Sequence, residues 1–281
     1  MIKTIVDVQG VRVKIGKKTI VDDVSLRLGR GEAILIAGPN GSGKSTFLKC
    51  LAGVILPDRG KVIYPNGTTA KKIRFISDQL SLFENFSVRQ AMNFHKRIFG
   101  LKQMEYGVFA EAGMDESRKI RHLSTGERTL LNLSLALSQQ PDVLLIDEVI
   151  HVIDPYLREK FLEAVIDLMD RCLTTVILVN HTFSEVEKIP ERVLVMADGR
   201  FIVDEQAEEL GMRLKKVVSE SEISPEIPFI FSQPAGPFIE YFVYPFGPEM
   251  SDRFPYEFQA VDLNQIIKAF IGGQYVQKRN P

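Results

Sequence analysis

The sequence predicts an α/β domain built around a parallel β-sheet. Three apolar runs, AILIAG (33–38), DVLLID (142–147) and TTVILVN (174–180), have the length of strands and the continuous hydrophobicity expected when both faces are covered. Helical patterns separate these runs along the chain. This recurring order of strand, loop and helix is typical of a parallel sheet whose strands are joined by crossover helices.

The first third of the chain contains the earliest strands and the first helix. Short β segments are predicted at 4–9, 11–15, 24–28 and 33–38. A glycine-rich loop follows the last of them and leads into a helix, KSTFLKCLAG, which Gly53 can close as a C-terminal cap. The loop is therefore expected to lie between a buried strand and the N-terminus of a helix.

The middle of the chain is predicted to be mainly helical. VRQAMNFHKRIF (88–99) has the spacing of an amphipathic helix, and the region stays helix-rich as far as Glu116. A leucine-rich helix is predicted at 127–138, and an amphipathic helix at 156–172 separates the second and third apolar runs. Such helices supply the long connections that parallel strands require.

The composition changes after about Lys216. Eight of the 14 prolines and 12 of the 25 aromatic residues lie from residue 225 onward. A disordered tail would not contain so many aromatic residues, so we predict a small β-rich appendage, closed by a helix at 262–272 that Asp262 caps. It is expected to stabilise the main domain or its dimer, and a regulatory or partner-binding module is the alternative. The predicted domains are 1–215 and 216–281.

Charge, cysteine content and hydropathy argue against several classes of protein. The 35 basic and 36 acidic residues nearly cancel, so no nucleic-acid partner is expected. Cys50 and Cys172 show no metal-ligand spacing and are predicted to be reduced thiols. The N-terminus lacks the pattern of a signal peptide, and the apolar runs are too short to cross a membrane. If the protein serves a membrane, a different chain is expected to cross it.

The glycine-rich loop, GPNGSGKST, fits the phosphate-binding pattern G-x-x-x-x-G-K-[ST]. Glycines let backbone N–H groups face phosphate oxygens, Lys44 neutralises phosphate charge, and the Ser45 hydroxyl can ligate Mg²⁺. A strand before the loop and a helix after it complete the expected context and disfavour a glycine turn without a nucleotide. The predicted nucleotide-binding residues of the loop are Gly38, Pro39, Asn40, Gly41, Ser42, Gly43, Lys44, Ser45 and Thr46.

Two consecutive carboxylates stand at the end of the second apolar run, in VLLIDEV. Asp147 ends the predicted strand and can hold Mg²⁺, and Glu148 can polarise an attacking water. An acidic turn without function is the alternative, but it is disfavoured in a chain that also contains a phosphate loop. The pair favours hydrolysis over binding alone, because a passive site has no use for a carboxylate that activates water.

A second loop, in HLSTGERTLLNLSLAL (122–137), also has the features of an anion site. STGE is a capping box, with Ser124 at the N-cap and Glu127 three residues later. A well-capped helix packed through its leucines accounts for these two residues but leaves Gly126 unexplained. The free N-terminus of such a helix is also a place where an anion can bind.

These motifs resemble those of the ATP-binding cassette (ABC) family, from about residue 3 to 212. LSTGE is similar to the signature loop of that family, LIDE to its second nucleotide motif, and 180–210 to its closing segment. The resemblance implies a P-loop NTPase fold with a parallel β core, an N-terminal antiparallel β subdomain and a helical subdomain at about 79–140. A C-terminal β-rich appendage would be added to this fold. ATP and Mg²⁺ are the implied cofactors.

The resemblance also assigns roles to further residues. In the family the signature loop completes the ATP site of a partner subunit in a head-to-tail dimer, so Ser124, Gly126 and Glu127 would act in trans. His181 is similar to the switch histidine, a catalytic residue that reaches the γ-phosphate in cis, and Asp154 is similar to the dimer-contact aspartate. The second loop would thus serve the phosphate of another subunit.

Three positions differ from the usual family pattern. Ile15 aligns with the aromatic residue that stacks on adenine, so weaker apolar contact would replace stacking. The Mg²⁺-sensing glutamine aligns with Asp78, while the actual Gln79 lies one residue later, and both stay open as metal ligands. In the signature loop, Thr125 and Glu127 replace the commoner glycine and glutamine, and Glu127 still caps the helix.

Together, the motifs predict the ATP-hydrolysing subunit of an ABC transporter. The stretch 81–101 and the C-terminal helix are similar to cassettes that work with exporters. We therefore expect export through a separate transmembrane permease, driven by closure of a dimer with a second ABC subunit. The expected location is cytoplasmic, peripheral on the inner face of the membrane through the permease. The alternative is a soluble ABC ATPase in a process such as iron–sulfur cofactor assembly, which fractionation would distinguish.

Overall fold

The computed structural model describes residues 3–65, 70–77, 83–104, 107–180 and 189–279, and for 274–279 it describes the backbone. The strands are β1 Thr4–Ile15, β2 Lys18–Gly29, β3 Ala33–Ala37, β4 Arg59–Ile63, β5 Ile73–Ser77, β6 Val143–Asp147, β7 Thr175–Val179, β8 Arg192–Ala197, β9 Arg200–Gln206, β10 Lys215–Ser219, β11 Phe229–Ala235 and β12 Phe238–Val243. The α-helices are α1 Lys44–Leu51, α2 Val88–Ile98, α3 Gly107–Glu111, α4 Thr125–Leu137, α5 Pro155–Cys172, α6 Ala207–Arg213, α7 Glu249–Arg253 and α8 Leu263–Arg279.

The centre of the fold is a six-stranded sheet in the order β5-β6-β7-β3-β8-β9. The first five of these strands are parallel, and β9 returns antiparallel to β8. Buried side chains cover both faces of β3, β6 and β7, which explains why these three strands are almost entirely apolar. The predicted α/β fold with a parallel core is confirmed.

Three segments that matter for function leave the same edge of this sheet. β3 ends at Ala37, directly before the glycine loop, β6 ends at Asp147, and β7 ends before Asn180. Asp147 is paired in register with Ser77 of β5 and Val179 of β7. Because the strands are parallel, their carboxyl ends lie side by side. The topology thus brings residues from distant parts of the chain to one edge.

A second, antiparallel sheet has the order β2-β1-β4 and shares a hydrophobic cluster with the central sheet. The prediction of separate segments at 4–9 and 11–15 was wrong, because β1 is one strand. The pairing of β1 with β2 shifts between Val8 and Val11, on either side of Gly10. The glycine therefore lies in a bulge that bends the strand without ending it.

β2 begins at Lys18, earlier than the predicted segment 24–28. The prediction was too short because the first half of the strand contains aspartates, which are rare in strands. Asp22 is held by ion pairs to Arg12 of β1 at 2.7 Å and to Arg200 of β9 at 2.6 Å. Hydrogen bonding from Arg200, with a smaller effect of Arg12, lowers the pKa of the Asp22 carboxyl. The two arginines compensate the charge of Asp22, so the aspartate is tolerated in a strand although local sequence patterns disfavour it there.

The predicted helices between the central strands are present. α1 ends as expected, with the N–H of Gly53 donating to the carbonyl oxygen of Cys50 at 3.0 Å. α2 begins with a capping box formed by Ser87 and Gln90. Apolar side chains of α2, α3 and α4 form a cluster of their own, separate from the two clusters on the central sheet. The helical subdomain bounds of about 79–140 stay a prediction.

The C-terminal residues form a third sheet, in the order β10-β12-β11, with α8 packed against it. Asp262 caps α8 as predicted, because its Oδ1 accepts the N–H of Gln265 at 2.7 Å, and the helix continues past the predicted end to Arg279. Phe242 of β12 and Phe270 of α8 join the hydrophobic cluster of the main domain. The appendage thus shares its core with the rest of the chain, and a boundary at 215–216 stays a prediction.

The structure describes both cysteines and the helices α1–α8. Cys50 and Cys172 are both free, as predicted, and burial raises the pKa of the Cys50 thiol. Over the described ranges of the chain, no helix is both long and apolar enough to cross a lipid bilayer. The two cysteines lie in α1 and at the end of α5.

The contact between α8 and β11 gives a prediction about stability. A Cβ atom at Gly273 would lie 2.3 Å from the carbonyl oxygen of Ile230, which is part of the backbone and cannot rotate away. We expect Gly273→Ala to lower the free energy of unfolding by about 1–3 kcal/mol, measured by urea denaturation. Gly211→Ala in α6 is the control, because a Cβ there meets no atom within 4 Å and is expected to be neutral or stabilising. Equal stability of the two variants would contradict tight packing of α8.

Candidate functional site

The glycine loop joins β3 to α1 and is fixed against β8 and β2. Gly38 and Gly43 have φ values of 148° and 110°. A Cβ atom would lie 2.1 Å from the carbonyl oxygen of Met196 at Gly38, and 2.6 Å from that of Ile20 at Gly43. The backbone conformation and the close neighbours both exclude a side chain at these two positions. The shape of the loop is therefore set by the protein before any ligand binds.

Lys44 is buried at the start of α1 and its ammonium group turns back over the loop. Its Nζ donates hydrogen bonds to the carbonyl oxygens of Gly38 and Pro39, at 2.9 and 3.0 Å. Burial lowers the pKa of Lys44, although nearby carboxylates oppose that shift. The buried Ser42 hydroxyl has no hydrogen-bond partner among the described atoms. A buried cation, an unsatisfied hydroxyl and the first N–H groups of a helix fit an anionic phosphate group.

A hydroxyl and a carboxylate meet where the loop faces the end of β6. Ser45 Oγ donates a hydrogen bond to Oδ1 of Asp147 at 3.0 Å. Burial raises the pKa of the Asp147 carboxyl, and the hydrogen bond from Ser45 partly offsets that rise. Hydroxyl and carboxylate oxygens are ligands that Mg²⁺ prefers. The donor set therefore fits Mg²⁺, with Ser45 and Asp147 as the groups that would hold it.

Glu148 has a left-handed backbone, with φ 55°, which is strained for a residue with a side chain. Its N–H donates to the carbonyl oxygen of Val179 in β7 at 2.9 Å, which anchors the turn. Its side chain lines the same cleft as Lys44. The sharp turn after β6 thus lets Glu148 face the cleft while Asp147 contacts Ser45.

The loop forms one wall of an open cleft of about 420 Å³. One end is polar, with the Lys44 ammonium and the backbone of the loop. The other end is the β1–β2 hairpin, where Ile15 is 57% exposed and offers apolar surface. Such a cleft suits a ligand with phosphates at one end and a base at the other. Its described lining residues are Ile15, Lys18, Ile20, Asn40, Gly41, Gly43, Lys44, Ser45, Thr46 and Glu148.

The signature loop is the exposed N-terminus of α4. Ser124 Oγ accepts the N–H of Glu127 at 3.2 Å, and Glu127 Oε2 accepts the N–H of Ser124 at 2.7 Å, which is the predicted capping box. Ser124 and Thr125 are exposed. Among the described residues that line the cleft, none belongs to this loop. The two candidate anion sites of the chain are therefore separate.

Gly126 has a packing reason that the sequence did not show. A Cβ atom there would lie 3.2 Å from Leu157 and 3.6 Å from Oδ2 of Asp154. Asp154 in turn caps α5, because its Oδ1 accepts the N–H of Leu157 at 3.1 Å. The signature loop and the predicted dimer-contact aspartate thus lie side by side, and both Ser124 and Asp154 are exposed.

Three predicted site residues lie outside the described residues, and two residues of the cleft were missed. His181, Asp78 and Gln79 lie outside the described residues, so their roles stay predictions. Lys18 and Ile20 line the cleft but belong to no motif. Their one sequence signal is their place in the hairpin that also contains Ile15.

Comparisons with known proteins bear on the class of the protein. The family model described as ABC transporter matches residues 21–151. The aliphatic sulfonates import ATP-binding protein SsuB 1 of Nocardia farcinica is 34% identical over 203 residues, covering 71% of this chain and 80% of that protein. The Nod factor export ATP-binding protein I of Bradyrhizobium diazoefficiens is 32% identical over 208 residues, covering 69% and 68%.

Solved structures share the fold. An ATP-binding subunit of an ABC transporter covers 73% of this chain and 91% of its own, with a TM-score of 0.66 and 20% identity. A dimeric ATP-binding cassette in a post-hydrolysis state, bound to ADP and Pi, covers 72% and 98%, with a TM-score of 0.61 and 24% identity. At these identities the likeness shows the fold alone.

The fold and the phosphate-binding cleft define a P-loop ATPase. The chain belongs to the ABC transporter family, as an ATP-binding subunit that hydrolyses ATP. The family and the ATPase activity predicted from the sequence are confirmed. The relatives include both import and export subunits, so the predicted direction of transport stays a prediction.

Ile15 gives a prediction about nucleotide affinity. A nucleobase over Ile15 gains apolar contact, whereas an aromatic ring adds stacking worth about 1–3 kcal/mol. We expect Ile15→Tyr to tighten ATP binding by about tenfold, measured by isothermal titration calorimetry. Ile15→Leu is the control and is expected to bind like the unchanged protein. A Tyr variant that binds no tighter than the Leu variant would show that the base does not lie on the hairpin.

Proposed function

We propose that this ATPase powers export of a substrate through a separate membrane-spanning permease, by closing head to tail on a second ABC subunit. The observation that carries the proposal is the separation of two anion sites within one chain. The glycine loop lines the cleft, while the exposed signature loop contributes no described residue to it. A second subunit placed head to tail would bring its signature loop onto the nucleotide in the cleft.

Within one subunit, the cleft would bind and orient the nucleotide. The N–H groups of the loop and the Lys44 ammonium would hold the phosphates, and Ser45 with Asp147 would hold Mg²⁺. Mg²⁺, when bound, supplies positive charge next to the phosphate oxygens. Glu148 would orient the attacking water and accept its proton. By family resemblance, His181 would contact the γ-phosphate, and Asp78 or Gln79 would contact the metal.

Across the dimer, the partner subunit would complete the site. The hydroxyl of Ser124 and the backbone at Gly126 would contact the γ-phosphate in trans, with Glu127 holding the cap of the loop. Asp154, exposed beside this loop, would contact the other subunit. Closure around ATP would exclude bulk water from the cleft but retain the attacking water at Glu148, and reopening after hydrolysis would complete the cycle that moves the permease.

An exposed aromatic surface formed by α2 and the segment before it is the proposed docking place of the permease. Phe83 and Phe94 are 57% and 41% exposed, and their ring centroids lie 5.4 Å apart. The Phe86 ring completes a three-ring cluster, with centroid distances of 4.9 Å to Phe83 and 5.9 Å to Phe94. Apolar surface with a polar rim is typical of protein interfaces. A cytoplasmic part of the permease is the partner we propose for it. The adjoining groove is lined by Phe86, Gln90, Asn93, Phe94 and Arg97.

This surface gives a prediction about partner binding. Phe94→Glu places a charge in the aromatic cluster and is expected to abolish co-purification of the permease while ATP-dependent dimerisation remains. Phe229→Glu is the matched control, because Phe229 is 47% exposed but lies in the appendage. Loss of the permease with the Phe229 variant alone would place docking on the appendage instead.

The proposed transport function is tested by capture from native cells. Tagged Glu148→Gln protein would be purified with ATP and Mg²⁺ from membranes in mild detergent, and the accompanying chains identified by mass spectrometry. A stoichiometric polytopic membrane protein is the expected result. A purely soluble complex would contradict transport and favour a process such as iron–sulfur cofactor assembly.

The direction of transport needs a separate test. Export is supported by the sequence of 81–101 and by a relative named for Nod factor export, whereas another relative is named for import. Cells that carry the Glu148→Gln allele would be compared with unmodified cells by metabolite profiling. Export predicts a compound that accumulates inside and disappears from the medium. The opposite change would show import.

A further inference from the structure

The signature loop contains a negative charge at a place where an anion is proposed to bind. Glu127 lies in the first turn of α4, next to the helix end that would meet the phosphate of the partner subunit. A carboxylate in this position repels phosphate and also accepts an N–H of the helix end. The structure pairs this carboxylate with Arg118, a residue that belongs to none of the sequence motifs.

Arg118 and Glu127 form a bidentate salt bridge. Arg118 Nη1 lies 2.5 Å from Glu127 Oε1, and Nη2 lies 3.2 Å from Oε2. The same Nη2 donates to the carbonyl oxygen of His122 at 2.6 Å. Burial alone would raise the pKa of Glu127, but hydrogen bonds from the Ser124 N–H and from Arg118 hold that pKa below its ordinary value. A two-bond pair of this kind neutralises the carboxylate and fixes its orientation.

Arg118 is itself held in place by its backbone. Its carbonyl oxygen accepts the N–H of Val88 at the start of α2, at 3.0 Å. Two residues on, the N–H of Ile120 donates to the carbonyl oxygen of Phe86 at 2.9 Å. The guanidinium thus connects the segment before the signature loop, the loop carbonyl of His122 and the capping carboxylate. The side chains of Arg118 and Glu127 are 39% and 18% exposed, so water screens the pair in part.

We infer that Arg118 is a positioning residue for phosphate binding in trans. By neutralising Glu127 and fixing its carboxylate, Arg118 keeps the N–H end of α4 available to the ATP held by the partner subunit. The inference rests on the proposed function, because it requires the signature loop to meet that ATP. Without Arg118, the negative charge of Glu127 would be uncompensated beside the phosphate. Without Glu127 as well, the need for Arg118 would disappear.

The test uses the Glu148→Gln protein as background and saturating ATP and Mg²⁺ for every variant. Dimerisation is measured by sedimentation velocity. Arg118→Ala is expected to weaken the dimer about tenfold for each site, and about a hundredfold for two equivalent sites. Arg118→Ala with Glu127→Gln is expected to restore dimerisation to within about threefold, because glutamine keeps the capping box without the charge.

A matched control removes a similar ion pair from the same group of helices. Arg89 pairs with Glu116 at 3.2 Å, and Arg89→Ala is expected to leave dimerisation unchanged. The penalty of Arg118→Ala is also expected to shrink as the salt concentration rises, which loss of structure alone would not produce. A merely structural role predicts that the double variant dimerises no better than Arg118→Ala.

Three outcomes would contradict the inference, and they can be told apart. If Arg118→Ala leaves dimerisation of the Glu148→Gln protein unchanged, the role of Arg118 is contradicted but head-to-tail closure is not. The same holds if adding Glu127→Gln to Arg118→Ala does not restore dimerisation. A background protein that never dimerises with ATP contradicts closure of two copies of this chain, on which the inference rests.

Discussion

Replacing Glu148 with Gln is expected to leave ATP binding intact, to slow hydrolysis by about 10²–10⁴-fold and to trap a dimer. Glutamine keeps the size of the side chain but cannot accept the proton of an attacking water. The strained turn at this position should persist, because the N–H of residue 148 still donates to the carbonyl oxygen of Val179. Phosphate release and sedimentation velocity, with ATP and Mg²⁺, measure the two effects separately.

Two controls make this result specific. Glu159→Gln removes an exposed carboxylate from α5 and is expected to leave hydrolysis unchanged. Ser124→Arg, added to Glu148→Gln, is expected to abolish the trapped dimer without weakening ATP binding at the glycine loop, because the arginine fills the surface that faces the partner. A Glu148→Gln protein that hydrolyses ATP at the normal rate would contradict the role of Glu148. A protein that stays monomeric would require a second, different ABC subunit.

The fold could be predicted where burial gives a local signal. β3, β6 and β7 are covered on both faces, so their sequences are almost entirely apolar and were predicted from pattern alone. β4, Arg59–Ile63, was not predicted, because it is a largely exposed strand with two basic residues. β2 was predicted too short, because Asp22 depends on ion pairs with residues that are remote in sequence.

The part of the site that is contiguous in sequence could be predicted, whereas the part formed by contacts between separate segments could not. The glycine loop is contiguous, and the roles of its glycines, Lys44 and Ser45 follow from phosphate chemistry, so its sequence was sufficient to indicate the cleft. The close approach of Gly126 to Leu157 and the pairing of Arg118 with Glu127 depend on how separate segments meet. No spacing rule predicts such contacts. The resemblance pointed to Gly126, but its packing reason emerged only from the fold.

Lys44→Ala is expected to weaken ATP binding by about 10²–10³-fold, because it removes a buried cation from a phosphate site. The carbonyl oxygens of Gly38 and Pro39 would also lose a donor. Titration with a fluorescent ATP analogue measures the affinity, and thermal unfolding checks that the fold is intact. Lys49→Ala is the control, because it removes the same charge from the last turn of the same helix. Similar losses in both variants would indicate a general effect of charge.

The Lys44 and Ser124 variants together decide whether the signature loop acts in cis or in trans. In the Glu148→Gln background, Lys44→Ala and Ser124→Arg chains are each expected to stay monomeric with ATP, because neither homodimer contains an intact site. A mixture contains one intact site if the loop acts in trans: the cleft of the Ser124→Arg chain facing the signature loop of the Lys44→Ala chain. Differently tagged chains should therefore co-purify with ATP, at higher protein concentration than a dimer with two intact sites. If the loop served its own cleft, every chain in the mixture would be defective, and no ATP-dependent pairing would occur.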